Sequence, residues 1–440
     1  MSLLDTPVDE GRAPVSGDTP VGPSKSAARS LVELGLVVVA IIAVAAATHH
    51  LTLLLVVACL IVMIMVHELG HFMAAKHGKM KVTEYFLGFG PRLWSFRKGE
   101  TEYGVKAFPL GGYVKIPGMT NLEEVVTEDE ARTYRQQPFR ARLLVAVAGS
   151  AMHFLMAFIL LWVLVSFVGT PSDTQLSVGP LVQVGGHAGP AEAAGLRPGD
   201  VFVSVDGKAV GGDPDPLISA IHSHVGEPVT IVVSRDGVHH TVVVTPVDGR
   251  TVHEAGATAP AGNAPFGVIG VSFASPTVRA GPLTGVGRTV TGLVHYSWAS
   301  VVGVAHIFTP AATVQRFENV TSAKAASQSA ADGTRVSSVV GAVQAATDAA
   351  NAGAAYFLGI LVAINLFLGI FNLFPMLPSD GGHVAIAVYE KIRSGRRKIQ
   401  YHADVTKLIP YTWAMFAVLG VLFTTTLLTD ILHPMANPFG

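Results

Sequence analysis

Cysteine is all but missing from this chain: among 440 residues there is one, Cys59, so no internal disulfide can form. Cys59 falls in an apolar run and reads as a small buried hydrophobe. Charge is scarce as well. Asp, Glu, Lys and Arg make up 14% of the residues, against roughly 25% in ordinary soluble proteins. The 30 basic and 31 acidic residues leave a net charge of -1, which gives no pull toward nucleic acid, so the useful charge information is local. Long apolar runs fill the space that charge leaves. The chain is 50% hydrophobic with a mean hydropathy of +0.47, so much of it must lie in lipid. Histidine is plentiful at 17, yet His49, His50, His222, His224, His239 and His240 lack ligand spacing and read as loop or surface residues.

Residues 1–29, rich in Pro, Gly, Ser and Asp, read as a disordered cytoplasmic tail. Residues 30–48 form a first transmembrane helix, retained rather than cleaved as a signal because a second span follows at once. That second span, residues 49–75, ends in His67-Glu68-Leu69-Gly70-His71. On a helix His67 and His71 share one face, so both imidazoles can reach one Zn²⁺, with Glu68 beside them as general base. Counting from Leu51, His67 lies about 24 Å into a core about 30 Å thick. Two histidines and a glutamate at that depth are expensive, which marks them as functional.

Lys76, Lys79 and Lys81 on one side, and Arg132, Arg135, Arg140 and Arg142 on the other, make residues 76–142 a cytoplasmic connection. Within it, alternating stretches at 86–91 and 101–117 predict short strands in a membrane-associated hairpin-like loop. An edge strand beside a metal could pair with an extended peptide; an ordinary surface hairpin is the alternative. Residues 143–169 form the third span. Residues 175–275, with β-branched runs separated by Asp-Gly turns, predict a small β-rich domain, placed outside because few basic residues flank it. Residues 276–352 read as an extracytoplasmic linker, with an amphipathic helix over 290–308 and a mobile or helical stretch after it. Residues 353–388 hold the fourth span and an Asp-Gly-Gly motif, 389–407 a basic cytoplasmic loop, and 408–430 the last span.

Catalytic zinc takes three protein ligands and keeps a position open, so His67 and His71 need a partner. The second and fourth spans both run inward by the charge argument, which brings Asp380 to the same depth. Gly381 and Gly382 after it allow close backbone approach, and the proline-broken helix before it is tolerated where it lines a protein-buried cavity. A helix N-cap is the other role open to Asp380.

The pieces HELGH (67–71), FLGFGPRLWS (86–95), GETEYGVKAFPLGGYVKIPGM (99–119), AGLRPGDVFVSVDG (194–207) and FNLFPMLPSDGGH (371–383) together closely resemble the bacterial site-2 proteases. These are intramembrane zinc metalloproteases with an extracytoplasmic PDZ domain, and the resemblance runs from about residue 51 to 430. It implies a polytopic α-helical membrane protein of about five transmembrane helices, with a cytoplasmic-side membrane-associated β-loop and a PDZ-like domain. It also implies His67, His71 and Asp380 as zinc ligands, Glu68 as base, and Asn372, Gly111 and Gly112 as residues that help hold substrate. The expected setting is the bacterial cell membrane, with the active site near the cytoplasmic face. The expected substrate is a single-span regulatory protein of the anti-sigma factor type, trimmed first by a site-1 protease, with no nucleic-acid partner.

Three features depart from the family pattern. Ser379 stands where Leu commonly precedes the ligand aspartate. In the third span Gly149-Ser150-Ala151-Met152-His153 replaces a Gly-Pro followed three residues later by Asn, so His153 either supplies a donor or packs against a neighbouring helix. The span at 30–48 lies outside the core resemblance. Two rival classes stay in view: a metal transporter, which lacks the expected paired repeats and gives Glu68 no purpose, and a catalytically inactive PDZ scaffold, against which the intact H-E-x-x-H and Asp380 argue.

Overall fold

A computed structural model describes residues 27–119, 127–172, 174–250, 265–395 and 401–437. Most of the tail expected at 1–29, and Arg396, Arg397 and Lys398 of the basic loop, lie outside the described residues. Among the described residues five helices are long and apolar enough to cross a membrane, and a further pair bent by 75° makes up to six if it counts as one broken span.

The chain divides into two units, residues 1–153 with 371–424, and residues 154–370 with 425–440. In the first unit, helix α1 (Ala27–Ala47) turns at His49, whose φ is +58°, into the 27-residue α2 (Leu51–His77). Leu36, Val39 and Val44 on α1 are exposed, as suits a helix bathed in lipid tails. Two strands follow, β1 (Glu84–Lys98) and β2 (Thr101–Lys115), each 15 residues and longer than the short strands the alternation suggests. β2 folds back on itself, so that Glu84–Leu87 meet residues 102–105 on one side and 112–115 on the other. Gly88 (φ +85°) and Gly90 (φ +86°) turn β1 itself between its two paired halves. The outer edge of 112–115 pairs with no other strand among the described residues.

Tyr85 donates to Met65 O at 2.8 Å, pinning the sheet to α2 just before the histidines. A core of Ala74, Ala75, Met80, Val82, Ile116, Tyr134 and Val145 then joins the end of α2, the sheet and the start of α3 (Phe139–Val163). Gly70 lets α2 and α3 approach closely: a Cβ there would sit 2.6 Å from Ala148 O.

In the second unit α3 ends in a π turn, Leu164–Val168. A short pair, β3 (Thr170–Pro171) with β12 (Thr277–Val278), brackets a β-rich domain. Its sheet runs β11 (Val271–Ala274), β4 (Ser177–Leu181), β5 (Val201–Val205), β7 (Val229–Arg235), β8 (Val238–Val244), with β6 (Lys208–Ala209) on β5. β9 (Val247–Asp248) pairs with β10 (Gly267–Val268). Helices α4 (Pro190–Ala193) and α5 (Asp215–Ser223) accompany the sheet; Leu217 and Ile221 of α5 join Phe202, Ile231 and Val244 in one core.

Residues 282–352 are helical: α6 (Pro282–Ile307), α7 (Pro310–Thr321), α8 (Ala323–Ala331) and α9 (Val339–Ala352). α6 starts eight residues before the expected 290 because Pro282 occupies its first turn, where a missing N–H costs nothing. Ser322 and Ser338 cap α8 and α9 through their hydroxyls. Arg335 and Asp430 form a buried ion pair at 2.8 Å, and Asp430 also accepts from Ser338 N at 2.7 Å. The chain ends with α10 (Ala354–Asn372), α11 (Asp380–Ser394) and α12 (Ile409–Leu432).

Candidate metal centre

On α2 the four-residue spacing sets the two imidazoles edge to face, with ring centroids 4.8 Å apart and planes at 80°. His71 Nδ1 donates to the carbonyl oxygen of Val145 on α3 at 2.8 Å. That bond fixes the tautomer and leaves the His71 Nε2 lone pair facing inward.

Asp380 is the first residue of α11; Ser379 takes the cap position. The segment between α10 and α11 carries Pro375 and Pro378 and cannot continue the helix. Ser379 Oγ lies 2.6 Å from both Phe374 O and Met376 O, donating into that turn. The two glycines after Asp380 are required by space: a Cβ on Gly381 would lie 2.2 Å from Leu373 O, and one on Gly382 would lie 2.6 Å from Leu377 N.

The three side chains converge. His67 Nε2 and His71 Nε2 are 3.2 Å apart, and Asp380 Oδ2 lies 3.5 Å from the first and 3.2 Å from the second. Asp380 Oδ2 is buried with no hydrogen-bond donor. Inward lone pairs and a carboxylate oxygen repel unless a cation joins them. Donors at about 2.0–2.1 Å from one tetrahedral Zn²⁺ stand about 3.4 Å from each other, so the observed triangle fits zinc. Among the described residues this is the one group of three or more His, Cys, Asp or Glu side chains placed to hold a metal ion.

Gly149 closes the back of the centre. A Cβ there would lie 2.3 Å from His71 Nε2 and 2.4 Å from His67 Cε1, so α3 touches the imidazoles only because this position is bare. One turn on, His153 is 2% exposed and its ring lies 5.0 Å from that of His67, tilted by 40°. It packs at the metal centre. On the other side, Val114 of β2 offers its backbone to the Glu68 carboxylate. Gly112 stands beside it, where a Cβ would be 3.1 Å from Glu68 Cγ. Gly111 sits against the Phe89 ring instead, and half-buried Asn372 ends α10 where the broken turn begins.

The sequence left three contributors unmarked: Val145, Val114 and Gly149. The first two act through backbone atoms, which no side-chain pattern reveals. The signal for Gly149 is the run of small residues 149–151 in an otherwise bulky span, which allows helices to approach closely.

Residues 55–418 match peptidase family M50. The chain belongs to peptidase family M50. This M50 chain is 33% identical over 405 residues to the zinc metalloprotease Rip1 of Mycobacterium tuberculosis, covering 86% of this chain and 96% of that one. The same identity and coverage relate it to the zinc metalloprotease Rip1 of Mycolicibacterium smegmatis. As an M50 member it is a zinc metalloprotease of the site-2 type and a multi-pass membrane protein.

Proposed function

We propose that His67, His71 and Asp380 hold the zinc, that Glu68 is the general base, and that the substrates are single-span membrane proteins of the anti-sigma factor type. The observation that carries the ligand set is the 3.2, 3.2 and 3.5 Å triangle of donor atoms. Zinc, when bound, supplies the Lewis acidity that makes water a nucleophile and a peptide carbonyl an electrophile at neutral pH. Glu68 accepts the proton of the attacking water and hands it to the leaving amine nitrogen. Val114 N–H orients that carboxylate, and Gly112 leaves space beside it.

A substrate helix has to unwind before cleavage, since its carbonyls are hydrogen-bonded and shielded. The open edge of residues 112–115 offers replacement backbone partners, which offsets that cost, and it lies next to Glu68. Gly111 and Asn372 help hold the unwound segment. The basic flank of Lys76, Lys79, Lys81 and Arg140 supports a cytoplasmic position for this end of α2 and an outer one for the β-rich domain, read as PDZ-like. There it screens out substrates not yet trimmed by another protease.

Metal content and cleavage of purified protein test the assignment together. Glu68→Gln keeps zinc and loses hydrolysis, because the base is not a ligand, whereas His67→Ala and Asp380→Ala lose both. Full zinc occupancy in Asp380→Ala would remove it from the ligand set.

A further inference from the structure

Asp380 reaches the two histidines across a segment that cannot be helical, so α10 does not fix it rigidly. Its position depends on the Ser379 bonds within that segment and on what holds α11. Ten residues further along α11, about 15 Å down its axis, Glu390 is buried and ion-paired with Arg142 of α3; each side chain is 4% exposed. The other Glu390 oxygen accepts from Ala403 N at 2.7 Å, in the segment that leads into α12. Arg142 is itself held from behind. Tyr134 donates to Arg142 O at 3.2 Å, and the guanidinium lies 6.0 Å from the Tyr134 ring centroid. The edge of the His383 ring, on the first turn of α11, meets the same tyrosine at 6.3 Å.

One turn of α3 thus carries two attachments. Val145 O fixes the His71 imidazole, and Arg142, three residues earlier, fixes α11. We propose that Arg142 and Glu390 are positioning residues for the metal centre, a brace that sets how far Asp380 Oδ2 stands from the two imidazole nitrogens. The lever is long enough to matter. A tilt of about 4° about Glu390 moves Asp380 by about 1 Å, and zinc ligand distances tolerate about 0.2 Å.

The inference rests on the proposed ligand set, and the experiment keeps the two apart. The full-length protein in detergent is loaded with zinc, release into a competing chelator is timed, and thermal unfolding of the zinc-free form is recorded. Replacing both partners of a buried pair by apolar residues commonly leaves stability intact, so Arg142→Met with Glu390→Met is the main variant. It is expected to release zinc about ten- to a hundredfold faster than wild type, the usual effect of losing a residue that orients a ligand. Its zinc-free form should unfold close to the wild-type temperature. Glu390→Asp, which keeps the charge and shortens the reach, is the second variant should the first fail to fold, and faster release is expected there too. Release at the wild-type rate from either folded variant overturns the brace. So does release that rises only in step with lost zinc-free stability across the variants, which would make the pair a plain stabiliser of the fold. Wild-type zinc retention by His67→Ala would instead overturn the ligand set on which the brace rests.

Discussion

Gly149→Ala isolates the metal centre from the rest of the fold. The added methyl would start 2.3 Å from His71 Nε2, 2.4 Å from His67 Cε1 and 2.7 Å from His67 Nδ1, where ordinary contact begins at 3.4 Å. Relief therefore requires one or both rings to move by about 1 Å, several times the 0.2 Å that zinc coordination tolerates. His71 cannot retreat without giving up its bond to Val145 O, and α3 cannot retreat without drawing that same carbonyl away and opening its close contact with α2 at Gly70. Helix propensity works the other way: Ala is favoured over Gly in a helix interior by roughly 0.8–1 kcal/mol. The variant is thus expected to insert, fold and unfold at or near the wild-type temperature in its zinc-free form, while holding under a tenth of the wild-type zinc and cleaving nothing measurable. Metal analysis after gel filtration, beside thermal unfolding of zinc-free protein, reads both quantities. Full zinc content in a folded Gly149→Ala protein would refute the placement of α3 against the imidazoles.

Three other expectations follow from separate parts of the chain. Arg132, and next to it Lys76, hold the Glu100 carboxyl down at about 2, below its ordinary 4.5; because the folded value is the lower one, the stabilisation is complete above about pH 4.5 and lost as pH falls toward 2. After solvent screening it amounts to about 1–2 kcal/mol, so wild type should lose about half of that between pH 6 and 3 and the rest as pH falls through about 2, while Glu100→Gln loses none of it, as read by the unfolding midpoint; parallel pH profiles would count against the pairing. Arg335→Met strands the buried Asp430 and should cost about 3–5 kcal/mol, visible as a lower unfolding temperature, and a wild-type temperature would show that the pair contributes nothing. Deleting residues 175–275 while keeping 276–352 should leave cleavage of a pre-trimmed substrate intact and admit the full-length form on an immunoblot; continued rejection of the full-length form would end the gate reading.

What the sequence reveals tracks how local the physics is. The pairing of His67 with His71 is written in a four-residue spacing, and the β-sheet loop is written in alternation. Asp380 required a longer route through basic flanks and depth, since its partners stand some 300 residues earlier. The fold-back of β2 left no trace, because alternation identifies a strand without naming its neighbours, and Glu84–Leu87 have two. Arg142 read only as a basic flank; its partner is 248 residues away, and nothing local distinguishes a charge bound for a buried pair from one in water. The same holds for Arg335, 95 residues from Asp430. Gly149 keeps the glycine of the family pattern while Ser150 and His153 depart from it, yet its use is a clearance, and clearances exist only after helices meet.

The wide separation of the donors along the chain also bears on how the enzyme is made. His67 and His71 enter the membrane with the second span, but Asp380 follows some 300 residues later, and at 5–20 residues per second a ribosome takes about 15–60 s to reach it. On the proposed ligand set, the nascent chain through that interval has two imidazoles and a base but no third donor, and Ala403, whose N–H donates to Glu390 near the end of α11, emerges later still. If Asp380 is the third ligand, a hydrolytic centre assembled last would spare other membrane proteins leaving the same translocon while synthesis is under way. A chain truncated anywhere before residue 380 by a stalled ribosome is, for the same reason, a membrane protein without a blade.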